Sequence, residues 1–125
     1  MDTQKKAALK MDYKLRPQDA GVFKIVNCKT GKLFVGSSMN LRGAFNRYRT
    51  ELRLGSCRIP ELQNDWTVIG EESFSFDVVE AVEPRKGESA VRPDDLKTCT
   101  ELWLLELRPY GESGYNKDVR TAIDN

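Results

Sequence analysis

Two short runs near the start of the chain decide its fold, GVFKIVN at residues 21–27 and KLFVG at residues 32–36. Both runs are rich in β-branched and aromatic residues, which are typical of extended strands. The residues between them end in Gly31, and glycine supplies the backbone freedom that a tight turn needs. The sequence therefore predicts a β-hairpin that spans residues 21–36.

A helix is predicted directly after the hairpin. Asn40 is a favourable N-cap residue, and Gly55 is a favourable residue to end a helix. The apolar residues between them recur at helical spacing and define one face: Leu41, Phe45, Tyr48 and Leu52. A polar face follows one residue later with the same spacing: Arg42, Asn46, Arg49 and Arg53. We therefore expect a helix over residues 41–54 with a basic face beside its apolar face.

The middle of the chain contains signals for a second helix and a third strand. Pro60 suits the first turn of a helix over residues 61–68. Residues 73–79 alternate apolar and polar side chains, as a half-buried strand does. Residues 83–93 combine proline, glycine and charge, a composition that is typical of a loop.

A last helix is predicted near the end of the chain. Asp94 or Asp95 is expected to cap it, and it runs through Arg108 until Pro109 prevents its continuation. The predicted order of elements is therefore β-β-α-α-β-α in a single domain.

The composition limits the chemistry that this protein can carry out. The 125 residues include no histidine, which excludes mechanisms that use imidazole as a base or metal ligand. The three cysteines are odd in number and widely spaced, a pattern that fits neither a disulfide framework nor a zinc motif. No apolar run approaches the ~20 residues that span a bilayer, and the first residues lack the apolar stretch of a signal peptide. We therefore expect a cytoplasmic protein with no membrane partner.

Charge is divided unevenly along the chain. The basic segment (residues 21–60) contains eight basic residues against Glu51 alone, a net charge of +7. The acidic segment (residues 61–125) contains seven basic and fifteen acidic residues, a net charge of −8. This separation predicts one electropositive surface, as expected of a protein with a polyanionic partner. The alternative is that the two segments interleave in space and neutralise each other.

Taken in order, these segments resemble the GIY-YIG domain of phage homing endonucleases and repair nucleases. The first triplet of that family is represented by GVF at residues 21–23, and the second by FVG at residues 34–36. Later matches are Trp66 in the second helix, Trp103 in the last helix and GYN at residues 114–116.

The resemblance covers residues 20–117, nearly the whole predicted domain. It implies an α/β fold of the α+β type, in which helices flank a small three-stranded antiparallel sheet. Residues 1–19 are then an N-terminal extension, and residues 118–125 are a C-terminal tail.

The resemblance also implies where the family's catalytic groups would stand. Its two triplet tyrosines, which help to activate and position the attacking water, correspond to Phe23 and Phe34, which carry no hydroxyl. Its helical arginine, which contacts the scissile phosphate, corresponds to Ala44. Its metal-binding glutamate corresponds to Thr100, with Glu101 one residue away. The positions that keep a polar residue of the family are Tyr48 and Asn116.

These replacements imply that little hydrolysis remains. Without a carboxylate to hold a metal ion, nothing lowers the pKa of the attacking water. Loss of the arginine and of an acid–base partner removes further stabilisation of the transition state. We therefore expect no catalytic residue and no cofactor. Ala44 and Tyr48, together with Phe23 and Phe34, form either ordinary core or a partly open apolar groove for a ligand or partner.

The leading hypothesis is a catalytically inactive GIY-YIG-like domain that binds nucleic acid, with DNA expected, through the basic face of the first helix. Arginines at helical spacing can follow a phosphate backbone. Arg47 receives less weight, because Glu51 lies four residues later and is expected to pair with it. The residues expected to contact nucleic acid are Lys32, Arg42, Arg49, Arg53, Arg58 and Asn116. The alternative is that these arginines only solvate an exposed helix.

Two other functions remain open. An inactive relative of a nuclease could be a protein-interaction or inhibitor module that acts on a nuclease or on a defence or repair complex. Analogy with mobile genetic elements, which encode such proteins, suggests a phage as its source. Its acidic segment would then mimic nucleic acid toward a basic partner. A divergent endonuclease could instead use Glu101 as a ligand of Mg²⁺ or Mn²⁺ and Tyr48 as a base. The sequence leaves open the question of enzymatic activity and the choice among DNA, RNA and protein as target.

Overall fold

The strands of the protein form one antiparallel sheet. In the computed structural model, which describes residues 19–117, they are β1 (Ala20–Asn27), β2 (Leu33–Ser38) and β3 (Phe74–Val82), in the spatial order β2-β1-β3. The central strand β1 pairs antiparallel with both neighbours, which confirms the predicted three-stranded sheet. The predicted tail, and all but the last residue of the predicted extension, lie outside the described residues.

Three helices accompany the sheet: α1 (Leu41–Leu54), α2 (Pro60–Ile69) and α3 (Pro93–Leu107). Two short 3-10 turns, Glu71–Ser73 and Gly111–Ser113, precede β3 and follow α3. The predicted order β-β-α-α-β-α is confirmed. Within the described part of the chain, no helix is both long enough and apolar enough to cross a membrane.

α1 begins and ends at the residues that its sequence predicts. The side-chain oxygen of Asn40 accepts a hydrogen bond from the backbone nitrogen of Gly43 at 3.0 Å, which satisfies one free amide of the first turn. Gly55 ends the helix with a φ of 78°, which glycine adopts without strain. A Cβ at Gly43 would lie 2.8 Å from Nδ2 of Asn40, so this glycine leaves room for the cap.

α3 begins earlier than its sequence predicts, and the predicted aspartate caps are wrong. Its first residue is Pro93, whose fixed φ and missing N–H suit the first helical position. Asp94 and Asp95 consequently lie within the first turn, where negative charge interacts favourably with the helix dipole. Asp95 accepts hydrogen bonds from Arg85 at 2.7 and 2.8 Å, so its carboxylate contacts the preceding loop instead of capping the helix.

The main core lies between the sheet, α1 and α2. Phe23 and Ile25 of β1 point into it, and both side chains are fully buried. They belong to one cluster with apolar residues of both helices and of β3: Leu41, Leu52, Leu62, Trp66 and Phe74. Removing such side chains from water stabilises the fold by roughly 25 cal/mol for each Å² of apolar surface.

α3 covers the opposite face of the sheet. Successive strand residues point to opposite faces, and Val22, the neighbour of Phe23, is buried on the other side. Ser37, which pairs with Val22 across the strands, lines a cavity together with residues of α3. The indole nitrogen of Trp103 donates a hydrogen bond of 2.7 Å to the carboxylate of Glu80 in β3. The sheet is therefore held between α1 and α2 on one face and α3 on the other.

A short C-terminal segment, residues 114–116, pairs with the outer edge of β2. The backbone nitrogen of Tyr115 donates to the carbonyl of Leu33 at 2.9 Å. Asn116 uses both ends of its side-chain amide on Val35, since its oxygen accepts from the backbone nitrogen at 2.9 Å and its nitrogen donates to the carbonyl at 2.8 Å. The Asn116 side chain therefore takes the place of a strand residue in the hydrogen-bond pattern.

Tyr115 is the centre of a buried polar network. Its hydroxyl donates to Oδ2 of Asp65 in α2 at 2.7 Å and accepts from Nδ2 of Asn27 at 3.2 Å. Asn27 is fully buried, and its side-chain oxygen accepts from the backbone nitrogens of Lys29 and Thr30 in the hairpin turn. Burial, and then the hydrogen bond to Asp65, raise the pKa of Tyr115 above its usual range. The network fixes the hairpin turn relative to α2 and the C-terminal segment.

Candidate functional site

Four aromatic rings pack together where α1 crosses the hairpin. We call Phe23, Phe34, Phe45 and Tyr48 the aromatic cluster. The ring centroid of Phe23 lies 6.2, 5.5 and 5.6 Å from those of the other three, in that order. The centroids of Phe34 and Tyr48 are also 5.6 Å apart. These separations lie within the roughly 4.5–7 Å range of favourable aromatic pairs.

The aromatic cluster is continuous with the core. Phe23 is 1% exposed, and Ala44 of α1, which the resemblance places where the family has its arginine, is 7% exposed. Phe34, Phe45 and Tyr48 are half-buried and pack against the same core. Of the two alternatives for this patch, the packing favours ordinary core over an open groove.

Tyr48 is the polar member of the aromatic cluster. Its partial burial raises the pKa of the phenol above the usual range, and the neighbouring Arg47 opposes this shift without reversing it. The guanidinium of Arg47 lies 5.0 Å from the centroid of the Tyr48 ring. A phenol with a raised pKa stays protonated at neutral pH, so it is suited to donate a hydrogen bond and poorly suited to act as a general base.

Thr100 and Glu101 line a shallow, largely apolar cavity of about 230 Å³ beside α3. Thr100 donates its hydroxyl hydrogen to the carbonyl of Leu96, one turn earlier, at 2.7 Å. Glu101 is exposed. The remaining lining residues are Ser37, Met39, Pro93, Leu96 and Lys97.

The residues at this place do not fit the divalent metal ion that the resemblance implies for an active nuclease. Hard cations prefer several oxygen ligands, carboxylates above all. The oxygen of Thr100 is neutral and its hydrogen is given to Leu96, so Glu101 is left as the carboxylate that lines the cavity. Within residues 19–117, no three carboxylate or cysteine side chains come close enough together to hold a metal ion.

The basic face of α1 consists of Arg42, Arg49 and Arg53. Arg42 is exposed in the first turn of the helix. The guanidinium of Arg49 lies 4.6 Å from the centroid of the Phe76 ring, a cation–π contact. Arg53 donates two hydrogen bonds to the carboxylate of Glu71, at 3.3 Å from Nε and 2.8 Å from Nη2. Helical spacing identified the three arginines, but the partners of Arg49 and Arg53 belong to distant segments that spacing does not reveal.

Arg47 does not make the ion pair that its sequence predicts. Among the ion pairs of the described residues there is none between Arg47 and Glu51, and the guanidinium lies over Tyr48 instead. Adjacent helix residues do not normally face each other, so no spacing rule predicts this contact. Arg47 is exposed. It is therefore a candidate for contact with nucleic acid, although helical spacing had assigned it to an ion pair with Glu51.

The other expected contact residues have different surroundings. Lys32 donates to the carboxylate of Glu61 at 2.9 Å, and its ammonium lies 5.1 Å from the centroid of the Tyr115 ring. Asn116 has both polar groups of its side chain on the backbone of β2. Arg58 is exposed in the loop between α1 and α2. Lys32 and Asn116 thus have their polar groups engaged within the protein, and their predicted contacts with nucleic acid stay predictions.

Ion pairs join the basic segment to the acidic segment. Arg53 pairs with Glu71, and Lys32 pairs with Glu61. Within residues 19–117, two of the eight basic residues of the basic segment are therefore offset by acids of the acidic segment. The separation of charge along the sequence is partly cancelled in space, and the uncancelled part includes the exposed Arg42 and Arg47.

Solved structures that share this fold include two of the homing endonuclease I-TevI. The catalytic domain of this GIY-YIG enzyme superimposes with a TM-score of 0.64 at 24% sequence identity, over 79% of this chain and 98% of that domain. A mutant of the same domain, described as an intron endonuclease, gives a TM-score of 0.64 at 22% identity, over 78% of this chain and 92% of the other. No protein-family model and no curated protein sequence matches the chain. The protein therefore has a GIY-YIG-like fold, as its sequence predicts.

Proposed function

We propose that this protein is a catalytically inactive GIY-YIG-like domain that binds nucleic acid, with DNA as the expected target, through the basic face of α1. The I-TevI domain that shares its fold is an endonuclease. A shared fold does not by itself carry a shared function. The proposal consequently rests on the residues of this chain.

Loss of cleavage is supported by the surroundings of three residues at the expected catalytic places. Phe23 has no hydroxyl and is buried among other rings, where it could not position water. Ala44 has no charge to stabilise a phosphate in the transition state. Thr100 offers no carboxylate, and its hydroxyl is hydrogen-bonded within its own helix.

The observation that carries the binding proposal is the position of Arg42 in the first turn of α1. The N-terminal end of a helix already carries a partial positive charge of roughly half a unit, so a cation there does not stabilise the helix. The first turn of α1 also contains no acidic residue to offset it. Arg42 therefore adds to a positive potential, which Arg49 extends along the same face. Arg53 lies on this face as well, but its charge is offset by Glu71. Phosphate groups are the ligands suited to such a surface.

Direct binding and cleavage assays on the same samples test the proposal. Labelled DNA and RNA would be incubated with the protein at two salt concentrations, with and without Mg²⁺ or Mn²⁺, and run on native and denaturing gels. We expect a salt-sensitive shift with intact strands. Metal-dependent cleavage would restore the divergent-endonuclease alternative, and Glu101→Gln would then test the remaining carboxylate. Absence of both shift and cleavage would reject the proposal.

Combined replacement of Arg42, Arg49 and Arg53 by alanine tests the assigned surface. Binding should weaken roughly tenfold, and the slope of log K against log salt should fall by up to about 0.9 for each phosphate that the variant no longer neutralises. A matched control replaces three exposed cations outside α1: Lys86, Lys97 and Arg108. Equal losses of affinity in both triple variants would show only a general effect of charge and would reject the basic face as the site.

A protein-interaction or inhibitor module is the second candidate, and exposed leucines on α3 favour it. Leu102 and Leu105 are 61% and 67% exposed and lie three residues apart on the helix. Mimicry of nucleic acid by the acidic segment has less support, because Glu71 and Asp95 have their carboxylates occupied by arginines of this chain. Recovery of one stoichiometric protein partner, lost in a Leu102→Ser/Leu105→Ser variant, would favour this function if no nucleic acid binds.

A further inference from the structure

A carboxylate of the protein itself, that of Glu71, lies on the basic face of α1. Glu71 belongs to the 3-10 turn between α2 and β3, and its two oxygens accept hydrogen bonds from Nε and Nη2 of Arg53 at 3.3 and 2.8 Å. This is the two-point geometry with which a guanidinium binds a carboxylate or a phosphate. Two donors of Arg53, Nε and Nη2, are therefore directed at an anion that the protein itself supplies.

Arg49 contributes to the same place. Its guanidinium lies over the Phe76 ring, and its charge acts on Glu71 in addition to the closer charge of Arg53. The hydrogen bonds from Arg53, and then the charges of Arg53 and Arg49, hold the pKa of the Glu71 carboxyl below its usual range. Two arginines, one hydrogen-bonded and one acting at longer range, thus surround one exposed anion.

We propose that Glu71 occupies a phosphate subsite on the basic face, and that a backbone phosphate of nucleic acid displaces it from Arg53. This inference rests on the proposed function and adds a residue to it that no sequence pattern indicates. Phosphate fits because it presents two oxygens to the guanidinium fork, as the Glu71 carboxylate does. The protein would accordingly bind nucleic acid less tightly than its arginines alone would allow.

Displacement is energetically accessible because the pair is exposed. The side chains of Arg53 and Glu71 are 54% and 45% exposed, and ion pairs in such surroundings contribute little to stability. The Glu71 carboxylate sits on a short turn, so it can leave Arg53 by rotation of its side chain. Arg53 stays on α1 and presents the same donors to the incoming phosphate.

Glu71→Gln tests the proposal, and Glu72→Gln is its matched control. Both variants remove one negative charge from adjacent, exposed residues of the same turn, but Glu72 forms none of the ion pairs found in the described residues. Affinity for duplex DNA, measured by fluorescence anisotropy, should rise about two- to fivefold more in Glu71→Gln than in Glu72→Gln. The salt slope should steepen by up to about 0.9, since Arg53 then makes its phosphate contact without giving up an internal one.

The same two substitutions in an Arg53→Ala background show whether the gain acts through Arg53. We expect the advantage of Glu71→Gln over Glu72→Gln to disappear there, as a double-mutant cycle requires of coupled residues. Equal affinities of the two glutamine variants in the parent background would overturn the inference, and so would an advantage that persists without Arg53.

The two levels of proposal fail differently. If neither the parent nor Glu71→Gln binds DNA or RNA at low salt, the proposed function itself is rejected, and the subsite with it. If the parent binds and the glutamine variants do not differ, the proposed function stands and only the subsite is rejected. Circular dichroism of every variant keeps changes in folding separate from changes in binding.

Discussion

The two faces of α1 have opposite characters although their residues alternate in the sequence. Ala44, Phe45 and Tyr48 pack on the core and on the rings of the hairpin, so their identity is governed by volume and shape. Arg42 and Arg53 on the other face are exposed, so their identity has little effect on packing. Stability should therefore respond to one face and binding to the other, and substitutions can separate the two properties.

The largest expected effect is that of Phe23→Ala in the aromatic cluster. The ring is 1% exposed and contacts three other aromatic residues, so its removal should lower the free energy of unfolding by about 3–5 kcal/mol. Urea denaturation followed by tryptophan fluorescence measures the change. Phe34→Ala serves as a control and should cost less, because Phe34 is only half-buried. A loss below about 1 kcal/mol for Phe23→Ala would contradict its place in the core.

Tyr115→Phe should have an intermediate effect. It removes the hydroxyl that accepts from the fully buried Asn27 and donates to the half-buried Asp65, which leaves the side-chain nitrogen of Asn27 without its hydrogen-bond acceptor. We expect a loss of about 1–3 kcal/mol in the free energy of unfolding. A neutral result would mean that water or another group replaces the hydroxyl.

The pH dependence of this difference provides an independent check. The pKa of Tyr115 is raised in the folded protein, so the unfolded chain loses its phenolic proton first, near the ordinary value of about 10. The stabilisation that the protonated Tyr115 hydroxyl provides is therefore complete below about pH 10 and declines as the pH rises further. The difference in the free energy of unfolding between the parent and Tyr115→Phe should therefore narrow as the pH rises above about 10. Other titrating groups are common to both proteins, so they do not contribute to this difference.

The smallest expected effect on stability is that of Arg42→Ala. The side chain is exposed and its charge is unfavourable at the helix N-terminus, so the free energy of unfolding should change by less than about 0.5 kcal/mol or rise slightly. Binding of DNA by the same variant should nevertheless weaken. A clear loss of stability with unchanged binding would reverse the assignment of roles to the two faces.

The fold could be predicted because its signals are local. The strand composition around residues 21–36, the cap at Asn40 and the terminating Gly55 act within a few residues of their own positions. The predicted start of α3 was wrong because two local signals compete, and Pro93 at the first helical position takes precedence over the aspartates that follow it.

The candidate site was only partly predictable because its contacts join distant segments. Spacing found Arg49 and Arg53, but it contained nothing about Glu71, which lies 18 residues beyond Arg53. Arg47 was assigned the wrong partner for a different reason, since the helical spacing rule does not include the orientation of the adjacent Tyr48. Asn116 is polar at a position where the resemblance implies a polar residue, which suggested a contact with nucleic acid. In the structure its side chain is hydrogen-bonded to the backbone of β2.

The pairing of the C-terminal segment with β2 has a consequence for the behaviour of the protein at high concentration. An uncovered edge strand offers unpaired amides and carbonyls to a second chain and invites aggregation. Here Leu33 and Val35 direct those groups to Tyr115 and Asn116 of the same molecule. Tyr115 and Asn116 therefore cover this part of the β2 edge and should oppose strand exchange between copies.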